Sequence, residues 1–193
     1  MHFDLPIEHD VSLQRFNTFG LPARARHYLR VVDAAQLERL HGHAPLAGVP
    51  RFVLGGGSNV LLAHDVDAVV LHMAIPGRAV VGETDEAILV RAGAGENWHD
   101  FVEFTLAQGL GGLENLSLIP GTVGAAPIQN IGAYGLEIKD VFHSLTVHDL
   151  ASGERRTLTG PECRFGYRDS LFKHPQGAQL VVLDLSLIHI SEP

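Results

Sequence analysis

The glycines of this chain are clustered, and the clustering constrains the fold more than any other feature of the sequence. Of the 21 glycines, the densest groups fall at residues 55–57, 109–112 and 121–135. Because glycine has no Cβ, such clusters allow the main chain to turn tightly and to approach another molecule closely. We therefore expect loops whose backbone lies against a bound ligand.

Composition limits the classes of protein to which the chain could belong. Its 193 residues, 46% of them hydrophobic, suffice for one core or two small ones. The formal charge of −8 argues against nucleic-acid and anionic-membrane partners, since both need a basic surface. No stretch approaches the roughly 20 apolar residues of a membrane span. With a single cysteine and no signal-peptide pattern, we expect a cytoplasmic protein; its oligomeric state stays open.

Hydrophobic periodicity predicts strands and helices in alternation. The first part of the chain should contain strands at 26–32, 51–54 and 66–72, and a helix over 34–41 with Asp33 as its N-cap. The second part should contain a strand at 87–92, a helix over 96–108, a hairpin of strands at 144–150 and 155–158, a loop or short helix at 161–172, and a strand at 179–185. A turn at 75–77 places the boundary between two lobes near residues 73–78.

Residues 55–59 (GGGSN), here called the glycine loop, follow a predicted strand. Successive main-chain amides could hold an anion there, with Ser58 and Asn59 as additional donors. A tight turn between strands explains the glycines equally well. The loop lacks the Gly-Lys-Ser/Thr ending of a triphosphate loop, and residues 93–95 lack the third glycine of the Rossmann fingerprint.

Residues 119–135 (IPGTVGAAPIQNIGAYG), here called the small-residue segment, are more informative. Small residues dominate the segment, and Thr122, Gln129, Asn130 and Tyr134 supply hydrogen-bonding groups. This combination suits a large flat ligand lying against the main chain. Close packing of secondary-structure elements is the alternative interpretation.

Residues 165–173 (FGYRDSLFK), here called the arginine segment, place Arg168 among aromatic and apolar residues. An arginine in such a setting can present a permanent positive charge to a carboxylate. Judged from the residues alone, an exposed Arg168, or one paired with Asp169, is the better interpretation, because surface ion pairs are common.

No metal site is expected. The 12 histidines are dispersed, and His41 and His43 are the closest pair. The chain lacks an HExxH helix and a Cys/His ligand set. Cys163 has no motif partner, so we interpret it as a structural thiol.

Four motifs occur in order: residues 17–20 (NTFG), 54–59 (LGGGSN), 109–135 and 165–173. Together they resemble the UDP-N-acetylenolpyruvoylglucosamine reductase family, also called UDP-N-acetylmuramate dehydrogenase. That family lies within the vanillyl-alcohol-oxidase (PCMH) type of flavoprotein. The resemblance implies an α+β fold, a two-lobed FAD-binding domain with a small N-terminal lobe at 1–75 and a second lobe at 76–185.

The resemblance also implies roles for particular residues. Those assigned to FAD are Gly55, Gly56, Gly57, Ser58, Asn59, Gly121, Thr122, Gly124, Ala125, Asn130, Gly132, Ala133 and Tyr134. Arg168 is the implied catalytic residue, and Tyr167 and Arg168 are assigned to the substrate.

The implied reaction belongs to peptidoglycan precursor synthesis. NADPH reduces FAD, and the flavin then delivers hydride to C3 of a UDP-sugar enolpyruvyl ether; protonation at C2 completes UDP-N-acetylmuramate. Arg168 would bind the substrate carboxylate and stabilise the negative charge that develops on it.

The family continues into a C-terminal substrate-binding domain that supplies a serine proton donor and a glutamate. Neither motif occurs here, and residues 186–193 do not fit the family. We therefore expect a truncated chain with slight or absent turnover. Two alternatives stay open: a flavin-dependent alcohol or sugar oxidase on the same fold, and a non-catalytic FAD-binding fragment.

Overall fold

A computed structural model describes residues 5–83 and 87–191. The four α-helices among these residues are α1 (Ala35–His41), α2 (Trp98–Ala107), α3 (Ile138–Val141) and α4 (Gly160–Cys163). The strands are β1 (Glu8–Ser12), β2 (Arg24–Val31), β3 (Arg51–Leu54), β4 (Val66–Met73), β5 (Arg78–Glu83), β6 (Ile88–Gly93), β7 (Leu110–Gly111), β8 (Gly132–Ala133), β9 (Leu136–Glu137), β10 (Phe142–Asp149), β11 (Arg155–Thr159) and β12 (Leu180–Ser191).

The first sheet is built from the N-terminal strands in the order β1-β2-β4-β3. β2 and β3 both run parallel to β4, whereas β1 pairs antiparallel with β2. Parallel neighbours require a crossover connection, and α1 lies in the connection between β2 and β3. The glycine loop begins directly after Leu54, so it leaves the carboxyl end of an edge strand.

The second sheet is antiparallel and has the order β11-β10-β12-β6-β5. Helix α2 packs on it through Trp98, Phe101 and Val102, all of which are buried. The change from one sheet to the other falls between Met73 and Arg78.

The two sheets share a core. Val181 and Leu183 of β12 are buried in the same apolar cluster as Leu29 and Leu71 of the first sheet. Ala94, directly after β6, belongs to that cluster too. The contact between the sheets fixes the position of the loops that follow β3 and β6.

The structure differs from the predicted elements at several places. Strands β1 and β5 were not predicted, since β5 carries mostly exposed residues and lacks an apolar alternation. Helix α1 has Ala34 as its N-cap, one residue after Asp33, although the Asp33 carboxylate accepts from the Ala35 amide at 2.9 Å. The other helix, predicted over 96–108, is two residues shorter at its start.

The last strand is longer than predicted. It was expected to end at residue 185, but β12 continues in register with β6 and then pairs with β7, up to Ser191. Leu187 and His189 are buried, so burial extends the strand beyond the point where the family pattern stops. Residues 192–193 lie outside the described part of the chain.

Candidate functional site

The glycine loop packs directly against the start of the small-residue segment. A Cβ built on Gly55 would lie 2.8 Å from the hydroxyl of Thr122, and one built on Gly56 would lie 3.2 Å from the Cα of Gly121. Real Cβ atoms essentially never come within 3.0 Å of another heavy atom, and 3.2 Å is an unusually tight separation. Glycine at these two positions therefore allows the loops to meet closely.

A cavity of about 340 Å³ opens beside this contact. It is lined by Phe52, Val53, Leu54, Gly55, Gly56, Gly57, Ser58, Asn59, Val60, Trp98, Pro120, Thr122, Ala125, Ala126, Ile128, Gln129, Ile131 and Lys173. A second cavity of about 240 Å³ shares five of these residues, namely Val53, Gly55, Thr122, Ala125 and Ile128. The two cavities thus adjoin, and together they are here called the groove.

Main-chain amides in the glycine loop are available to a ligand. Within the described part of the chain, the N–H groups of Gly56, Gly57, Ser58 and Asn59 donate to no acceptor. Successive free amides of this kind form an anion-binding concavity. The side chains of Ser58 and Asn59 are partly engaged, since they donate to the Pro120 oxygen and to Gln129 Oε1, both at 3.3 Å.

The small-residue segment is fixed by main-chain hydrogen bonds to the β6–α2 connection. The amides of Val123 and Gly124 donate to the oxygens of Glu96 and Ala94, at 2.9 and 3.0 Å. A Cβ on Gly124 would lie 2.5 Å from that of Ala94, so this glycine permits close packing. The hydroxyl of Thr122 is buried in the wall of the groove and has no hydrogen-bond partner among the described residues.

Arg168 lies in a tight turn of the arginine segment. Gly166 and Asp169 exchange main-chain hydrogen bonds at 3.0 and 3.2 Å, which leaves Tyr167 and Arg168 at the tip. Arg168 has a left-handed φ of 52°, and its guanidinium donates to the oxygen of Gly132 at 3.1 Å. Left-handed backbone costs a non-glycine residue of order 1–2 kcal/mol.

The charge of Arg168 is free. Within residues 5–83 and 87–191, it forms no ion pair with a carboxylate. Of the two interpretations from the residues alone, exposure is therefore correct and pairing with Asp169 is not. Asp169 instead accepts from His174 at 2.9 Å, and this bond is the main cause of its lowered pKa.

Two further bonds join the arginine segment to the small-residue segment. The Asn130 amide donates to the Gly166 oxygen at 2.9 Å, and the buried Ser170 hydroxyl donates to the Ile128 oxygen at 2.6 Å. The turn that carries Arg168 is thus held beside the groove.

Cys163 takes no part in this arrangement. It is fully buried, and burial raises the pKa of its thiol to about 12. Thiols of so high a pKa are poor nucleophiles at neutral pH.

Comparison with known proteins identifies the family to which the chain belongs. The sequence model of a family described as "FAD binding domain" matches residues 25–159. The chain belongs to this FAD-binding family. Its match covers the glycine loop and the small-residue segment together, and so includes most of the residues that line the groove.

The relatives of this FAD-binding chain include reductases. UDP-N-acetylenolpyruvoylglucosamine reductase of Pseudomonas putida is 56% identical over 175 residues, which are 91% of this chain and 52% of that protein. The chain spans about half the length of the curated relatives it matches. These matches confirm the resemblance predicted from the four motifs.

Solved structures confirm the fold. UDP-N-acetylenolpyruvylglucosamine reductase of Thermus caldophilus superimposes with a TM-score of 0.79 at 27% identity, covering 98% of this chain and 64% of that one. A solvent-stable cholesterol oxidase superimposes with a TM-score of 0.70 at 17% identity, covering 97% and 38%. The predicted class, an α+β FAD-binding domain of the vanillyl-alcohol-oxidase type, is therefore confirmed.

The residues that line the groove fit FAD. The free amides of the glycine loop suit an anionic diphosphate, and the unpartnered hydroxyl of Thr122 offers a polar contact to a ligand within the groove. The apolar residues Trp98, Ile128 and Ile131 line the same groove and suit a flat ring system.

Not every residue assigned to FAD reaches the groove. Among the described residues, the lining of the two cavities lacks Gly121, Asn130 and the hairpin residues Gly132, Ala133 and Tyr134. Asn130 is fully buried and uses its side chain within the protein, while Tyr134 is 89% exposed. A direct contact between these residues and FAD stays a prediction.

Several residues that line the first cavity had not been assigned to FAD from the sequence, and they include Trp98, Gln129 and Lys173. Trp98 is held by a bond from its indole N–H to the Leu116 oxygen at 2.8 Å. Gln129 and Lys173 lie inside motifs that had been recognised, so their position was a usable signal. Trp98 lies outside the four motifs, and only the packing of α2 brings it to the groove.

Two kinds of feature are absent from residues 5–83 and 87–191. These residues contain no group of three or more histidine, cysteine or acidic side chains arranged to hold a metal ion. No helix in the same residues is long and apolar enough to cross a membrane.

Proposed function

We propose that this chain holds FAD for the NADPH-dependent reduction of UDP-N-acetylenolpyruvoylglucosamine to UDP-N-acetylmuramate in peptidoglycan precursor synthesis. The observation that carries the proposal is the environment of Arg168. This arginine has no carboxylate partner in the described chain, is held in a strained conformation, and sits in a turn bonded to the cofactor-binding segment. Strained residues persist where the surrounding structure holds them in place, and they cluster at functional sites.

FAD, when bound, would supply the redox chemistry of the reaction as a carrier of hydride from NADPH to C3 of the enolpyruvyl ether. The residues of this chain would bind the cofactor and polarise the substrate. The glycine-loop amides hold the cofactor, and Arg168 binds the substrate carboxylate and stabilises the negative charge that develops on it. Tyr167, which is 85% exposed next to Arg168, faces the same substrate.

Protonation of C2 completes the reaction. The family resemblance assigns the proton donor to a serine whose motif does not occur in these 193 residues. We therefore expect NADPH to reduce the FAD bound to this chain, and we expect turnover by the chain alone to be slow. A cytoplasmic location and a division into lobes at 1–75 and 76–185 are parts of the same proposal.

Anaerobic spectroscopy tests the proposal. NADPH added to the FAD-loaded protein should bleach the visible flavin absorbance, and the enolpyruvyl substrate, added without oxygen, should restore it slowly. The fold is shared with a cholesterol oxidase, so an oxidase of alcohols or sugars is the second candidate. Rapid reoxidation by oxygen, with reduction by an alcohol and none by NADPH, would replace the reductase with that oxidase.

A further inference from the structure

The cavity at the glycine loop differs in charge from the rest of the chain. Among the described residues that line it, Lys173 is the one with a formal charge, and none is aspartate or glutamate. The chain as a whole carries a formal charge of −8. A wall with one cation and no carboxylate, in an acidic protein, favours an anionic ligand.

The ammonium group of Lys173 has donors to spare. Its Nζ donates to the main-chain oxygen of Arg168 at 2.8 Å, and an ammonium group has three donors. It forms no ion pair within the described residues. The positive charge of Lys173 helps to lower the pKa of Asp169, but the side chain of Asp169 is hydrogen-bonded to His174.

The other lysine of the chain provides a contrast. Lys139 forms an ion pair with Glu137 and does not line the cavity. Its charge is therefore neutralised locally, whereas that of Lys173 is not.

We propose that Lys173 is a cofactor-binding residue whose ammonium group holds the diphosphate of FAD together with the glycine-loop amides. The diphosphate is the anionic part of FAD, and both kinds of donor line one cavity. The proposal rests on FAD binding by this chain and on no step of the reductase reaction. Through its bond to the Arg168 oxygen, Lys173 also links the diphosphate to the turn that carries Arg168.

Equilibrium titration of the apoprotein tests this assignment. FAD carries the diphosphate and riboflavin does not, so the two probes separate contacts to phosphate from contacts to the ring. Lys173→Met should weaken FAD binding by about 10- to 100-fold and leave riboflavin binding within about twofold. Lys173→Arg should retain most of the FAD affinity, and Lys139→Met should not change it, although both Met variants lose one charge.

Several outcomes would overturn the assignment. An unchanged FAD affinity in Lys173→Met would overturn it. An equal loss of affinity for FAD and for riboflavin would show that Lys173 contacts the flavin ring or stabilises the fold. Full FAD affinity in Lys173→Gln would show that an uncharged donor to the Arg168 oxygen is sufficient. The unmodified protein is measured first. If it failed to bind FAD, the premise that this chain binds FAD, on which both proposals rest, would be wrong.

Discussion

The side-chain amide of Asn130 donates a hydrogen bond to the main-chain oxygen of Gly166 over 2.9 Å. The oxygen of the same side chain accepts from the Lys139 amide at 3.1 Å, so both polar ends of a fully buried residue are used. Asn130 therefore fixes the arginine segment against the small-residue segment. The function proposed for Arg168 depends on this contact, although Asn130 does not line the groove.

Replacing Asn130 with glycine tests that role. Glycine tolerates the left-handed φ of 45°, so the change removes the two bonds without adding backbone strain. The Gly166 oxygen and the Lys139 amide would lose their partner, which should lower the free energy of unfolding by about 1–3 kcal/mol. Urea unfolding measures the loss. The matched change Asn59→Gly, at an exposed residue, should cost at least about 1 kcal/mol less; equal losses would contradict the role.

Replacing Arg168 with glycine separates stability from function. Glycine relieves the left-handed strain at φ 52°, so the free energy of unfolding should stay constant or rise by up to about 1 kcal/mol. Reoxidation of the reduced flavin by the enolpyruvyl substrate should fall by at least about 100-fold, because the charge is lost.

Arg164 is the matched control for that experiment. It is also exposed and left-handed, with φ 49°, at the end of α4. Arg164→Gly should show the same change in stability and no change in reoxidation. If Arg168→Gly lost stability and kept its rate, Arg168 would be a structural residue.

Gly57 should tolerate no side chain. It has a φ of 66°, and a Cβ there would lie 2.0 Å from the Phe16 oxygen. In the same contact, the Thr18 hydroxyl donates a hydrogen bond to the Gly57 oxygen. Gly57→Ala should therefore lower the free energy of unfolding by more than about 2 kcal/mol and abolish FAD retention. Gly48→Ala has a similar φ of 76° with nothing within 4 Å, so it should lose only the strain energy, about 1 kcal/mol. Thermal unfolding of the two variants decides the matter, since similar losses would show that the contact at Phe16 is unimportant.

Two buried histidines should make the fold sensitive to acid. The ring nitrogens of His148 have no hydrogen-bond partner within the described chain, and burial lowers the pKa of both His148 and His189 below the usual value of about 6.5. The unfolded chain therefore binds protons more readily than the folded one as the pH falls. The stability they contribute is complete above about pH 6.5 and is lost as the pH falls through the folded pKa values.

Urea unfolding at a series of pH values measures this effect. The slope of stability against pH below about 6.5 should approach 1.4 kcal/mol per pH unit for each histidine, and His148→Leu should reduce it. His143→Leu, at an exposed residue, is the control and should leave the slope unchanged. An unchanged slope in His148→Leu would show that His148 does not titrate with unfolding.

The sequence predicted the loops that line the groove more fully than it predicted the contacts between them. Strand β3 and the glycine loop were predicted with their correct bounds, because an apolar run followed by glycines is a local pattern. The bond between Asn130 and Gly166 spans 36 residues and ends on a main-chain oxygen, so no side-chain pattern could reveal it. The predicted end of β12 was wrong because the strand is extended by the burial of Leu187, which depends on tertiary packing.

The most direct test of the account is a titration of the apoprotein with FAD, followed by tryptophan fluorescence. The chain has one tryptophan, Trp98, and it lines the cavity where we place FAD. If FAD binds in this cavity, the titration should give a bound flavin spectrum, and the fluorescence of Trp98 should be quenched until one FAD is bound per chain. A folded protein that shows neither a bound flavin spectrum nor quenching would contradict it.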